Sequence, residues 1–250
     1  MSHVPCLTVD VEDFYEGMHT LGHDVIPPHD QEPGVTGLQR LLEGRSARIT
    51  LFVVGRHAAA AGETLRALAA SNHEIASHGP DHGRLPSGGP VLIDWLRRGR
   101  EMLEDVVGQP VRGFRSPRFD VPADLSVTAF RDALAEAGFL YVSDRSSTDG
   151  PVPLEELPVA TRWQVPFGGG SYQRLLPRRA VSTLVRLTPG PCVLYYHSYD
   201  FGHELPALRS ARSTAVVSQL LGRGRVAPIF ERLLDEVGSQ TCTEALRALR

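Results

Sequence analysis

Short β-branched and apolar runs alternate with helical stretches along almost the whole of this 250-residue chain, and that alternation is the strongest constraint on its fold. Residues 4–11 (VPCLTVDV), 48–54 (RITLFVV), 74–77 (EIAS), 111–114, 139–142 (FLYV), 163–167 and 192–196 (CVLYY) read as buried strands. Between them, 35–42, 56–70, 91–107, 126–137 and 181–186 read as helices, and 226–237 and 244–249 as closing helices. Gly108 and Gly138 stop two of them. Residues 148–158 read as a Pro- and acid-rich connection. Parallel strands need a long crossover, which a helix fills, so the pattern predicts one α/β domain spanning 1–250.

Composition narrows the partners. Hydrophobic residues make up 42% of the chain, enough for a sizeable core. The net charge is −3 and every basic residue is arginine, so there is no basic excess for nucleic acid. Cys6, Cys192 and Cys242 show neither metal-binding nor disulfide spacing and read as buried thiols in a reducing compartment. The start lacks a basic and apolar leader, and no apolar run reaches the length of a membrane span. The expectation is a cytoplasmic protein without integral membrane contact.

Chemistry-bearing residues cluster at strand ends. Strand 74–77 runs into Ser77-His78-Gly79-Pro80-Asp81-His82, two histidines four apart. Neutral imidazole is the commonest zinc ligand, and Gly79 and Pro80 place the pair on a loop. Asp10, Glu12 and Asp13 crowd the end of the first strand. In a parallel barrel both groups share one rim, so acids and imidazoles can converge on a metal. Arg115, at the end of the fourth strand, is placed to hold a buried carboxylate ionised. His197 ends the last strand. Gly168-Gly169-Gly170 lacks dinucleotide-loop spacing and reads as a tight turn with backbone close to a ligand. His19, His23 and His29, in an irregular stretch over 17–33, read as exposed loop residues, His57 as a surface residue at a helix start, and Trp95 as core.

Taken in order, these segments resemble the NodB-type polysaccharide deacetylases, carbohydrate esterase family 4, in the branch whose first motif reads T-V-D-V-E-D. The matches are Thr8 to Asp13, Thr50 to Gly55, Ser77 to His82, Phe114-Arg115-Ser116-Pro117, Gly168 to Pro177 and Val193 to His197, covering residues 4 to 246. The resemblance implies a distorted (β/α) barrel of about seven strands. It also implies a divalent metal, zinc by preference, held by His78, His82 and one acid. That acid is Glu12 or Asp13: family usage favours Asp13, while strand alternation from Asp10 favours Glu12. Asp10 aligns with the catalytic base, Arg115 with its orienting cation and His197 with the catalytic acid. Pro117, Gly169, Gly170, Tyr172 and Asp144 fall where substrate contacts are expected, Asp144 being the nearest candidate for the motif-four acid that tunes the acid histidine. The implied reaction is removal of an N-acetyl group from an amino sugar or sugar-containing intracellular substrate. Hydrolysis of a non-sugar amide or of a cyclic imide or ureide on the same site is the alternative, and a non-catalytic carbohydrate-binding homologue a lesser one.

Overall fold

Seven short strands carry the fold: β1 (Cys6–Val11), β2 (Thr50–Val53), β3 (Glu74–Ser77), β4 (Gly113–Phe114), β5 (Tyr141–Val142), β6 (Glu155–Glu156) and β7 (Val193–His197). In this computed structural model, which describes residues 4–14, 16, 34–119, 121, 124–144, 154–160, 167–202 and 221–250, all seven are parallel and curl into a half-barrel. Their order is β6-β5-β4-β3-β2-β1-β7. The helices are α1 (Val35–Leu42), α2 (Gly62–Ala70), α3 (Pro90–Val107), α4 (Val127–Glu136), α5 (Gly170–Gln173), α6 (Arg178–Arg186), α7 (Val226–Glu236) and α8 (Cys242–Ala248). None of the described helices is long and apolar enough to cross a membrane.

Period-two alternation divides each strand between two environments. On β1, Leu7, Val9 and Val11 join the large core between sheet and helices. Cys6 joins Phe52, Ala76, Tyr141 and Val193 in a second core inside the curl, with Cys242, Ala245 and Leu246 of α8. That helix closes the amino end of the barrel, fixed by a reciprocal cap in which the Thr241 hydroxyl accepts from Glu244 N–H and the Glu244 carboxylate from Thr241 N–H. Glu74 ties this end together, accepting from Thr50 Oγ1 (2.9 Å), Tyr141 Oη (3.0 Å) and Thr243 N–H (3.0 Å). All three cysteines are buried free thiols.

Register aligns the carboxyl ends of the strands. Val11 pairs with Val53, Val53 with Ser77, Ser77 with Phe114, Phe114 with Val142, and Asp10 with His197. The residues that follow each strand therefore emerge on one rim. Most sequence-based elements appear within a few residues of their expected ends. Strand β6 is new: it lies in the stretch read as a connection, because two residues are too few to show periodicity. The strand expected at 163–167 lies almost wholly outside the described residues; its flanks pair with β7, through Ala160 N–H to Val193 O (2.9 Å) and Tyr195 N–H to Gly168 O (2.8 Å). The 17–33 stretch, with His19, His23 and His29, also lies outside them.

Helix α3 seats the histidine loop. Its Trp95, partly buried as expected of a core residue, lies over Gly79, whose φ of 83° suits glycine. Gly99, one turn further, faces the Gly79–Pro80 backbone: a Cβ there would stand 2.7 Å from Pro80 N and 2.8 Å from Gly79 C. Helix propensity alone favours alanine over glycine by about 1 kcal/mol, whereas overpacking against backbone costs about 1–3 kcal/mol. Gly99→Ala should therefore be a net destabilisation in urea unfolding, and a stabilised variant would show that the loop is not clamped by α3.

Candidate metal centre and active site

The site starts from a buried cation. Arg115 is fully buried inside the barrel, with its guanidinium 4.0 Å above the Phe52 ring. Its Nη1 donates to Asp10 Oδ1 (2.6 Å) and Thr8 Oγ1 (2.8 Å), its Nε to Ser143 O (2.8 Å) and its Nη2 to Ser143 Oγ (2.8 Å). Asp10 is 3% exposed, so this cation is what keeps its charge tolerable at that depth.

The same residue's carbonyl accepts from His78 Nδ1 at 2.8 Å. A carbonyl only accepts, so Nδ1 carries a proton and Nε2 is the ring nitrogen that faces the rim. That nitrogen lies 3.5 Å from Glu12 Oε2, and His82 Nε2 lies 2.6 Å from the same oxygen. Among the described residues, Glu12, His78 and His82 form the one group whose ligand atoms could hold a metal ion, all within 4.8 Å of one another and all three residues buried. Two imidazoles and a carboxylate fit a zinc-like divalent cation with open positions for water and substrate. His82 Nδ1 is buried without a hydrogen-bond partner.

The carboxylate in this group is that of Glu12, not of Asp13, which family usage favoured. Alternation along β1 is the reason: Glu12 keeps the inward parity of Asp10. Asp13 instead begins a turn, its N–H donating to Glu16 Oε2 at 2.7 Å. Burial works against the charge on Glu12, but the His82 and His78 imidazoles outweigh it and hold the carboxyl well below the usual range. His82 is raised in turn, since Glu12 overcomes the cost of burying its charge.

His197 completes the rim from β7. Its Nε2 is 3.8 Å from Glu12 Oε1, and its ring stacks on Tyr199 at 4.8 Å and 5°. Burial disfavours the imidazolium, but Asp200, with Oδ2 3.8 Å from Nδ1, and the Glu12 and Asp10 charges push the pKa up to about 9.

The remaining expectations divide. Asp144 does not meet His197; its two oxygens are taken by Ser116 N–H (2.8 Å) and Ser116 Oγ (2.7 Å), and burial raises its pKa. The acid beside His197 is Asp200, which the i, i+3 spacing in the sequence could have signalled. Pro117 is buried at the start of a 3₁₀ turn that continues from Arg115 and Ser116. Gly169 and Gly170 give close packing: a Cβ would stand 2.7 Å from the Tyr195 hydroxyl and 2.7 Å from Tyr196 Cδ1, respectively. Tyr172 is exposed on α5. His57, expected at the surface, is buried, because its Nε2 meets Glu16 Oε2 at 2.8 Å. Nothing in local sequence pairs Glu16 with His57.

The curled parallel sheet thus gathers an acid, a buried cation and paired imidazoles on its carboxyl rim. The chain belongs to the polysaccharide deacetylase family, whose profile matches residues 17–142. A domain of unknown function, DUF3473, matches residues 128–247. No curated protein matches. Among solved structures, a Mycobacterium smegmatis protein assigned to the polysaccharide deacetylases is 24% identical, with a TM-score of 0.62 over 98% of this chain and 91% of that one. The family 4 carbohydrate esterase of Streptomyces lividans, in complex with acetate, is 16% identical (TM-score 0.51; 95% and 91% covered). A family 4 pseudoenzyme of Bacillus anthracis is 12% identical (TM-score 0.52; 97% and 65% covered). These structural likenesses establish the fold; activity has to be argued from the site.

Arg115→Met should cost about 3–5 kcal/mol in urea unfolding, because it leaves Asp10 buried without its cation. Adding Asp10→Asn should recover part of that loss. A single variant of native stability would show that Asp10 does not depend on Arg115.

Proposed function

We propose that this protein is a metal-dependent hydrolase that removes an N-acetyl group from an amino sugar or sugar-containing substrate. The observation that carries the reading is positional: Asp10 and His197 are register partners on β1 and β7, beside the Glu12–His78–His82 cluster. A base, an acid and a cation site thus share one rim.

A divalent cation bound there, zinc by preference, supplies Lewis-acid polarisation of an amide carbonyl and acidifies water. Glu12, His78 and His82 would hold it. Asp10, fixed by Arg115, accepts the proton of the attacking water. His197, kept protonated by Asp200 and stacked on Tyr199, donates to the departing amine. A carboxylate base and an imidazolium acid in one cleft are the split protonation states that amide hydrolysis needs near neutral pH. The substrate class follows the family; the residues on the rim support amide hydrolysis without naming the sugar.

The test is metal content of the purified protein together with acetate release from a panel of N-acetylated amino sugars and their oligomers. Chelation should abolish release and zinc should restore it. Asp10→Asn and His197→Ala should each lower kcat by about 10²–10⁴-fold. Acetate release that survives chelation, or an Asp10→Asn variant of full activity, would overturn the assignment. Bound metal with cleavage of a cyclic imide and no acetate from any sugar would move the substrate to the non-sugar amides.

A further inference from the structure

Three ligands from two loops must be held at a fixed spacing, and a short turn after β2 touches both loops. Gly55–His57 forms a 3₁₀ turn. Its backbone grips the histidine loop between the two ligands: Gly55 N–H donates to Gly79 O (2.8 Å) and Arg56 N–H to Pro80 O (2.9 Å). The contact is close enough that a Cβ on Gly55 would lie 3.1 Å from Pro80 Cα and 3.0 Å from Met102 Sδ.

The side chains of the same turn reach the other loop. His57 Nε2 meets Glu16 Oε2 at 2.8 Å, and that oxygen also accepts from Asp13 N–H at 2.7 Å. Glu16 N–H donates back to Asp13 O at 3.0 Å, closing the turn that begins directly after Glu12. Arg56 pairs with Glu16 Oε1 from the more exposed side. Glu16 and His57 are 7% and 2% exposed, so neither interaction is diluted by solvent. Burial disfavours the Glu16 carboxylate, yet its His57 and Asp13 hydrogen bonds lower its pKa, so it is an ionised anchor.

We infer that the Gly55–His57 turn, acting through the His57–Glu16 pair, is a positioning element that sets Glu12 against His78 and His82 and thereby sets the affinity of the site for a divalent cation. The inference rests on the cation site proposed above. Glu16 and His57 do not touch the bound ion; they fix the backbone from which its carboxylate ligand projects, while the same turn fixes the loop of its imidazole ligands. Outer partners of this kind are worth about 10–100-fold in metal affinity.

The experiment is zinc titration in competition with a chromophoric chelator at fixed pH, with circular dichroism and thermal unfolding on the same samples. His57→Leu, which keeps the bulk and loses the donor, should weaken zinc about 10–100-fold. His57→Gln, whose amide can donate to Glu16, should recover most of that loss. Glu16→Gln keeps the shape but removes the charge that holds His57 and replaces the oxygen facing Arg56 with an amide donor, and should weaken zinc in the same direction; it carries the test if His57→Leu fails to fold. Zinc affinity unchanged in a folded His57→Leu or Glu16→Gln protein would overturn the inference while leaving the cation site standing. Equal weakening in His57→Leu and His57→Gln would also overturn it, assigning His57 to packing alone. A wild-type protein that binds no zinc would remove the proposed site itself.

Discussion

The buried guanidinium of Arg115 is the interaction on which the rest of the rim depends. A charge at that depth is costly unless its donors are used, and here four of its N–H groups are spent on groups from two strands: Thr8 and Asp10 from β1, and Ser143 after β5. The carbonyl of the same residue accepts from His78 Nδ1. One residue therefore fixes a carboxylate with its side chain and an imidazole with its backbone. Asp144 extends the clamp by holding Ser116, so the residues following β5 brace those following β4.

Strand register does the remaining placement. Because the parallel strands end in step, residues far apart in sequence reach one rim without long loops. The amino end of the barrel carries the opposite burden: α8 and the Glu74 hydrogen bonds close it with groups that never reach the rim. Ser198 links the two sides of the site, its hydroxyl accepting from Glu12 N–H (3.3 Å) and donating to Glu12 O (3.1 Å), one residue from His197. The metal-ligand candidate and the acid candidate are thus joined through backbone as well as by charge.

Much of this was legible in the sequence, and the reasons are local. β-Branched runs marked β1, β2, β3 and β7, and glycines after α3 and α4 marked their ends. Period-two parity pointed to Glu12 where family usage pointed to Asp13, and parity is a geometric property of the strand itself. What the sequence hid is contact between segments. The Glu16–His57 pair spans 41 residues, and the clamp of Asp144 on Ser116 spans 28. Neither leaves a periodic trace. Strand β6 was too short to announce itself. Asp200 was within reach, three residues after His197, but a local spacing of that kind is common and acquires meaning only once His197 is placed on the rim.

The most direct measurement is X-ray absorption at the zinc edge on the zinc-loaded protein. A first shell of nitrogen and oxygen at about 2.0–2.2 Å, with the outer-shell scattering of two imidazoles, is the expected result and corresponds to His78, His82 and Glu12. A sulfur shell at about 2.3 Å, or zinc without imidazole scattering, would contradict the site and with it the chemistry assigned to Asp10 and His197.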